Sequence, residues 1–111
     1  MKYTVTKRME ISGAHHLTLD YPSKCSNLHG HNWIITVTVQ SEELDRNGMV
    51  MDFTAIKTKI HDRLDHQNLN DVFTFNPTAE NIAWWIMQVI GEKCTKVTVQ
   101  ESEGNVATCE R

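Results

Sequence analysis

Alternation of apolar and polar residues is sharpest from Trp33 to Gln40. There Trp33, Ile35, Val37 and Val39 fall on one side of an extended chain, and Thr36, Thr38 and Gln40 on the other. That pattern predicts a half-buried strand. A weaker alternation over Tyr3 to Ile11 predicts another. Met49 to Met51 resume an extended run after the turn Asp45-Arg46-Asn47-Gly48, which predicts a hairpin with a longish loop. Lys96 to Ser102 and Asn105 to Glu110 flank the tight turn Glu103-Gly104 and predict a closing hairpin.

Between these runs the period changes. Asp52 stands at an N-cap position, and Phe53, Ile56, Ile60 and Leu64 recur at helical spacing, predicting one helix with an apolar stripe. Asn68 to Pro77 reads as an irregular connection. Pro77-Thr78 then opens a second helix with Ile82, Trp85, Ile86 and Val89 as its buried stripe and Gly91 as its stop. The predicted order is β, β, β, α, α, β, β. Strands and helices kept apart in this way predict an α+β fold: an antiparallel four-stranded sheet with two helices on one face. So small a sheet has edges to cover, and assembly into a closed oligomeric barrel is one way to cover them.

Composition narrows the picture little. The 111 residues are 40% hydrophobic and 23% charged, enough for one domain, 1–111, with a core of its own. A net charge of -3 offers no basic field for nucleic acid or an anionic membrane. The opening MKYTVTKRME has neither the apolar stretch of a signal peptide nor a spanning segment, which predicts a cytoplasmic protein. Three cysteines, Cys25, Cys94 and Cys109, have no framework-like spacing and are expected as free thiols in a reducing compartment.

The histidines change the picture more. Four of the six, His15, His16, His29 and His31, fall in one short stretch. In an extended chain residues i and i+2 share a face, so His29 and His31 project together with Cβ atoms roughly 6–7 Å apart. Gly30 between them would let another backbone or a ligand approach closely. His15, at the end of the preceding extended segment, could add a third nitrogen. Three neutral imidazoles leave a tetrahedral zinc ion one open position, as catalytic sites do. Spacing alone leaves two questions open: whether His15 or His16 binds, and whether Cys25 completes a closed four-ligand structural site.

Other residues carry weaker signals. Asp65-His66 is a carboxylate-oriented acid/base pair or merely a solvated helix end. Glu101 shares a strand face with Val97 and Val99, so it needs a cation or N–H donors, unless the strand ends before it and the side chain reaches water. Capping and the helix dipole account for Thr78 and Glu80, whose position also suits polar contacts to a ligand.

The segments Gly13-Ala14-His15, Cys25-Ser26-Asn27-Leu28-His29-Gly30-His31-Asn32, Met51-Asp52-Phe53, Leu64-Asp65-His66, Asn76-Pro77-Thr78-Ala79-Glu80-Asn81 and Val99-Gln100-Glu101 follow one another in order. That succession resembles the 6-pyruvoyl-tetrahydropterin synthase family from about Met9 to Glu110. Cysteine three residues before His-Gly-His is most similar to the 6-carboxy-5,6,7,8-tetrahydropterin synthase branch of queuosine-precursor biosynthesis. His16 departs from the family, in which an Arg often follows the first zinc histidine.

The resemblance implies a tunnelling (T-fold) architecture in which subunits form a barrel and two trimers stack into a homohexamer. It implies Zn2+ on His15, His29 and His31, Cys25 as the proton-abstracting base, and Asp65 with His66 as its relay partners from a neighbouring subunit. Glu101 would anchor the pterin ring, assisted by Thr78 and Glu80. The implied reaction is a zinc-dependent carbon–carbon lyase step. It converts 7,8-dihydroneopterin triphosphate to 6-carboxy-5,6,7,8-tetrahydropterin, acetaldehyde and triphosphate. The alternatives are a 6-pyruvoyl or 6-hydroxymethyl product, or a zinc-dependent pterin-binding protein without turnover.

Overall fold

A computed structural model describes residues 1–111. Its framework is a long antiparallel pair, β1 (Tyr3–His15) and β2 (His29–Ser41), in unbroken register from Tyr3 opposite Ser41 to His15 opposite His29. β4 (Cys94–Ser102) pairs antiparallel with β2 on its other side, and β5 (Asn105–Glu110) closes a tight hairpin with β4. Gly104 takes the positive φ of +83° that this turn requires.

The alternation seen in the sequence becomes one buried face. Met9 and Ile11 on β1, Trp33, Ile35, Val37 and Val39 on β2, and Val97 and Val99 on β4 all point into a single core of 21 buried residues. The helices cover that face. They are α1 (Phe53–Lys59), α2 (His61–Leu64), α3 (Leu69–Val72) and α4 (Ala79–Ile90). Asp52 caps α1 by accepting from the Thr54 N–H, and Gly91 ends α4 with φ +103°. No helix is long and apolar enough to cross a membrane.

Several expectations are corrected. The sheet has five strands and is mixed, because Gln67–Asn68 (β3) pairs in parallel with Gly13 and Ala14, giving the order β3-β1-β2-β4-β5. Two residues of parallel pairing inside a polar connection leave no periodic signal. β1 runs on past Ile11 to His15, and its hairpin partner is β2; Met49 to Met51 form bends, not a strand. The first helix breaks at Ile60, whose φ of -114° departs from helical geometry and turns the chain into α2. Its stripe keeps Ile56, Ile60 and Leu64, while Phe53 lies about half exposed. On α4 the buried set is Ala79, Ile82, Ala83, Ile86, Met87 and Ile90, with Trp85 and Val89 half-buried at its margin. Small residues mark the face lying closest to the sheet.

Asp65 ends α2, and its Oδ1 accepts from the Ser12 N–H of β1 at 2.9 Å. The neighbouring His66 N–H donates to the Ser12 carbonyl at 2.7 Å. This two-bond clasp delivers β3 to the edge of β1. The Ser12 N–H holds the Asp65 carboxyl below its usual range, against a smaller opposing effect of desolvation, and His66 adds to the lowering. A depressed carboxyl stabilises the fold above about pH 4, and the stabilisation is lost as pH falls through its folded value. Asp65→Asn should therefore be less stable than the wild type near neutrality, with the gap shrinking towards about pH 2; urea unfolding at a series of pH values measures it.

Gly13 supplies a second test. A Cβ there would lie 3.2 Å from Trp33 Nε1 and 3.3 Å from Leu69 Cδ1, both on buried side chains. The indole cannot retreat, because its N–H donates to the Gly13 carbonyl at 3.0 Å. Gly13→Ala should destabilise the protein by about 1–3 kcal/mol, read as a lower urea midpoint.

Candidate metal centre and adjoining clefts

The buried row of β1 continues as Gly13 and His15, and that of β2 begins as His29, His31 and Trp33. Register places His15 opposite His29 and Gly13 opposite His31, so three imidazoles meet at one end of the long hairpin. Their ring centroids are 4.6, 5.2 and 4.9 Å apart, and one nitrogen of each lies within 4.8 Å of the others. Trp33 packs edge-on against both His15 and His31 from below, at 4.8 and 5.4 Å. A Cβ at Gly30 would meet only the Gly13 carbonyl, at an ordinary 3.9 Å, and the tight packing falls instead at Gly13, against the Trp33 and Leu69 side chains.

Hydrogen bonds assign the tautomers. His15 Nδ1 lies 2.8 Å from the Pro77 carbonyl and His29 Nδ1 2.7 Å from the Asn27 carbonyl. A carbonyl only accepts, so both Nδ1 atoms carry the proton and both Nε2 atoms present lone pairs. The Nε2 atoms of His15 and His31 are buried and have no hydrogen-bond partner. Burial lowers the His15 pKa; the Pro77 contact opposes this, and His29 adds to the lowering. Imidazoles oriented by carbonyls, with two orphaned buried nitrogens among them, suit a metal ion, and the residues fit one. Pro77 and Asn27 act here through backbone carbonyls, so no side-chain pattern marked them. His16 lies outside the cluster; its backbone is held by Asn70.

A cleft of about 440 Å³ opens beside the cluster, lined by Lys24, Cys25, His29, His31, Glu101, Ser102 and Asn105. Cys25 sits in a single 3-10 turn, Lys24–Ser26, whose capping Ser23 hydroxyl accepts from the Cys25 N–H at 3.1 Å. Its thiol is free and half-buried. Glu101 lies where the β4–β5 register shifts between Gln100 and Ser102. The strand does continue past it, yet its side chain is 27% exposed instead of sealed among valines. Its Oε1 stands 3.3 Å from His31 Nε2 without hydrogen-bond geometry.

Glu101 also lines a second cleft, of about 300 Å³, together with Glu80, Asn105 and the β4–β5 turn. Thr78 lines neither cleft: its hydroxyl is the N-cap of α4, accepting from the Asn81 N–H at 3.1 Å. Asp65 and His66 stand apart from Cys25. His66 Nδ1 lies 2.9 Å from Asp65 Oδ2, and its ring is 81% exposed. It borders a different concavity, with Ser12, His31, Asn32, Gln67 and Asn68, which Cys25 does not line. His66 is the one non-glycine residue at positive φ, +59°, an unfavourable conformation held by its bond to Ser12.

Residues 4–111 match the model of the family described as 6-pyruvoyl tetrahydropterin synthase. The chain is 34% identical to a 6-carboxy-5,6,7,8-tetrahydropterin synthase of Bacillus subtilis, over 73% of this chain and 60% of that protein's length. It is 37% identical to a dihydroneopterin monophosphate aldolase of Pyrococcus furiosus, over 81% of this chain and 76% of that one. Among solved structures, the Caenorhabditis elegans 6-pyruvoyl tetrahydropterin synthase superposes with a TM-score of 0.79 at 27% identity, covering 100% of this chain and 96% of that one. A shared fold across the whole chain and a family match over nearly all of it lead to one conclusion: the chain belongs to the 6-pyruvoyl tetrahydropterin synthase family.

Proposed function

We propose that this protein is a zinc-dependent pterin lyase forming 6-carboxy-5,6,7,8-tetrahydropterin, acetaldehyde and triphosphate from 7,8-dihydroneopterin triphosphate and water. In this reading it is a cytoplasmic enzyme of 7-deazaguanine (queuosine) precursor synthesis, acting as one domain over 1–111. The observation that carries the reading is the three-imidazole cluster, with the Nε2 atoms of His15 and His31 unpartnered, beside a cleft that His29 and His31 line together with Cys25 and Glu101.

His15, His29 and His31 would hold Zn2+ through nitrogen. The ion, when bound, supplies Lewis-acid polarisation of the substrate's side-chain oxygens. Cys25 stays outside the ligand set and removes a carbon-bound proton as thiolate. Glu101 accepts from the amino and ring N–H groups of the pterin, a paired recognition suited to a carboxylate. Glu80 borders the same cleft as Glu101 and would add to the polar surround. Thr78 would assist through the end of α4 that it caps.

His66 borders a concavity that His31 also lines but Cys25 does not, which supports the Asp65–His66 pair acting on the Cys25 of a neighbouring subunit. Open edges support the same assembly: β5 is unpaired on its outer side, and β3 covers β1 only at Gly13 and Ala14. A homohexameric barrel of two trimers would pair these edges.

The relatives carry names for different products, and the aldolase gives a second reading: formation of a 6-hydroxymethyl pterin. Incubating the zinc-loaded protein with 7,8-dihydroneopterin triphosphate separates the two. Acetaldehyde with the 6-carboxy product is expected; a hydroxymethyl or pyruvoyl pterin without acetaldehyde refutes the assignment. Cys25→Ala should retain zinc and lose turnover by about 10²–10⁴-fold, with metal content and rate measured on one sample. Loss of the metal would instead mark Cys25 as a ligand. Glu101→Ala should weaken pterin binding by roughly tenfold or more in a titration, and an unchanged affinity would remove it as the anchor.

A further inference from the structure

The segment joining β1 to β2 carries Cys25 but has no regular structure beyond the single turn at Lys24–Ser26. Side-chain amides stand in for a neighbouring strand. Asn70 brackets His16, accepting from its N–H at 2.8 Å and donating to its carbonyl at 3.0 Å. Asn76 does the same at Thr18, accepting from its N–H at 2.9 Å and donating to its carbonyl at 3.1 Å. In extended chain the backbone groups of residues i and i+2 face one edge and those of i+1 the other. The two brackets therefore turn the Leu17 N–H the opposite way, where it donates to the Cys25 carbonyl at 2.9 Å.

Asn76 is also joined to the histidine cluster. Its own carbonyl accepts from Asn81 Nδ2 at 2.9 Å and from the Thr78 N–H at 2.8 Å, which fixes the entry to α4. The next residue, Pro77, presents the carbonyl that orients His15. One residue thus holds the base-bearing loop through its side chain and lies next to the carbonyl that orients a metal-ligating imidazole.

We propose that Asn76 is a positioning residue whose carboxamide sets where Cys25 stands relative to the three histidines. The inference rests on the reading of Cys25 as the base. Asn76→Ala removes the Thr18 bracket but keeps the backbone carbonyl that Asn81 holds, so Pro77 and His15 stay in place.

The test compares wild type, Asn76→Ala and Asn76→Asp, each zinc-loaded. Asn76→Asp keeps the acceptor for the Thr18 N–H but puts a carboxylate oxygen in place of the donor, opposite the Thr18 carbonyl. Turnover of 7,8-dihydroneopterin triphosphate is measured with zinc affinity by chelator competition. Iodoacetamide alkylation of the Cys25 and Cys109 peptides is followed in parallel by mass spectrometry. In Asn76→Ala, kcat should fall roughly ten- to hundredfold, with KM and zinc affinity within about threefold of wild type. Cys25 alkylation should rise at least about threefold while that of Cys109 holds, and Asn76→Asp should change both readouts in the same direction.

Wild-type turnover with wild-type Cys25 alkylation in both variants overturns the proposal. So does a loss of kcat matched by an equal loss of zinc affinity. Should Asn76→Ala fail to fold, Asn76→Asp decides by the same criteria. If the wild type itself does not turn over, the functional reading falls and the alkylation comparison alone decides the role of Asn76.

Discussion

The register of β1 against β2 is the constraint on which the rest depends. Because side chains alternate with a period of two, one unbroken antiparallel pairing puts Met9, Ile11, Gly13 and His15 on the same side as His29, His31, Trp33 and Ile35. The apolar members of that row bind the helices, and its polar end forms the cluster. A slip of one residue would bury Ser12 and Glu10 and turn His15 away from His29. The force that sets the register is the burial of the core, so folding and assembly of the histidine site are one event.

Around that row the protein orients groups with backbone carbonyls and amides. Pro77 and Asn27 set the tautomers of His15 and His29. Trp33 limits ring movement from below, anchored in turn to the Gly13 carbonyl. Asn70 and Asn76 hold the following segment as though a sixth strand lay beside it. Each device is local and weak, on the order of 1 kcal/mol per hydrogen bond. Together they fix two nitrogens with no partner inside the chain, which is a cost without an ion and a preformed donor set with one.

Charge is distributed accordingly. Glu101 is the acid next to the cluster, and it faces a cleft instead of the core, so it can serve a ligand without being buried unpaired. His66 borders a concavity that Cys25 does not line, and Asp65 beside it is clasped to Ser12.

What the chain determined by itself was whatever lies within a few residues of its own sequence. Period-two alternation marked Trp33 to Gln40, the i, i+2 spacing put His29 and His31 on one face, and caps at Asp52, Thr78 and Gly91 marked helix ends. Those signals depend on local backbone geometry alone. The tertiary structure decided which distant segments meet: His15 over His16, the pairing of Gly13 with Gln67, the break at Ile60, and the Pro77 carbonyl reaching His15 across 62 residues. Such contacts follow from how sheet and helices pack around one core. A backbone carbonyl or a two-residue bridge leaves no side-chain pattern by which to foresee it. The three-histidine site was legible as a spacing, but its orientation came only from the fold.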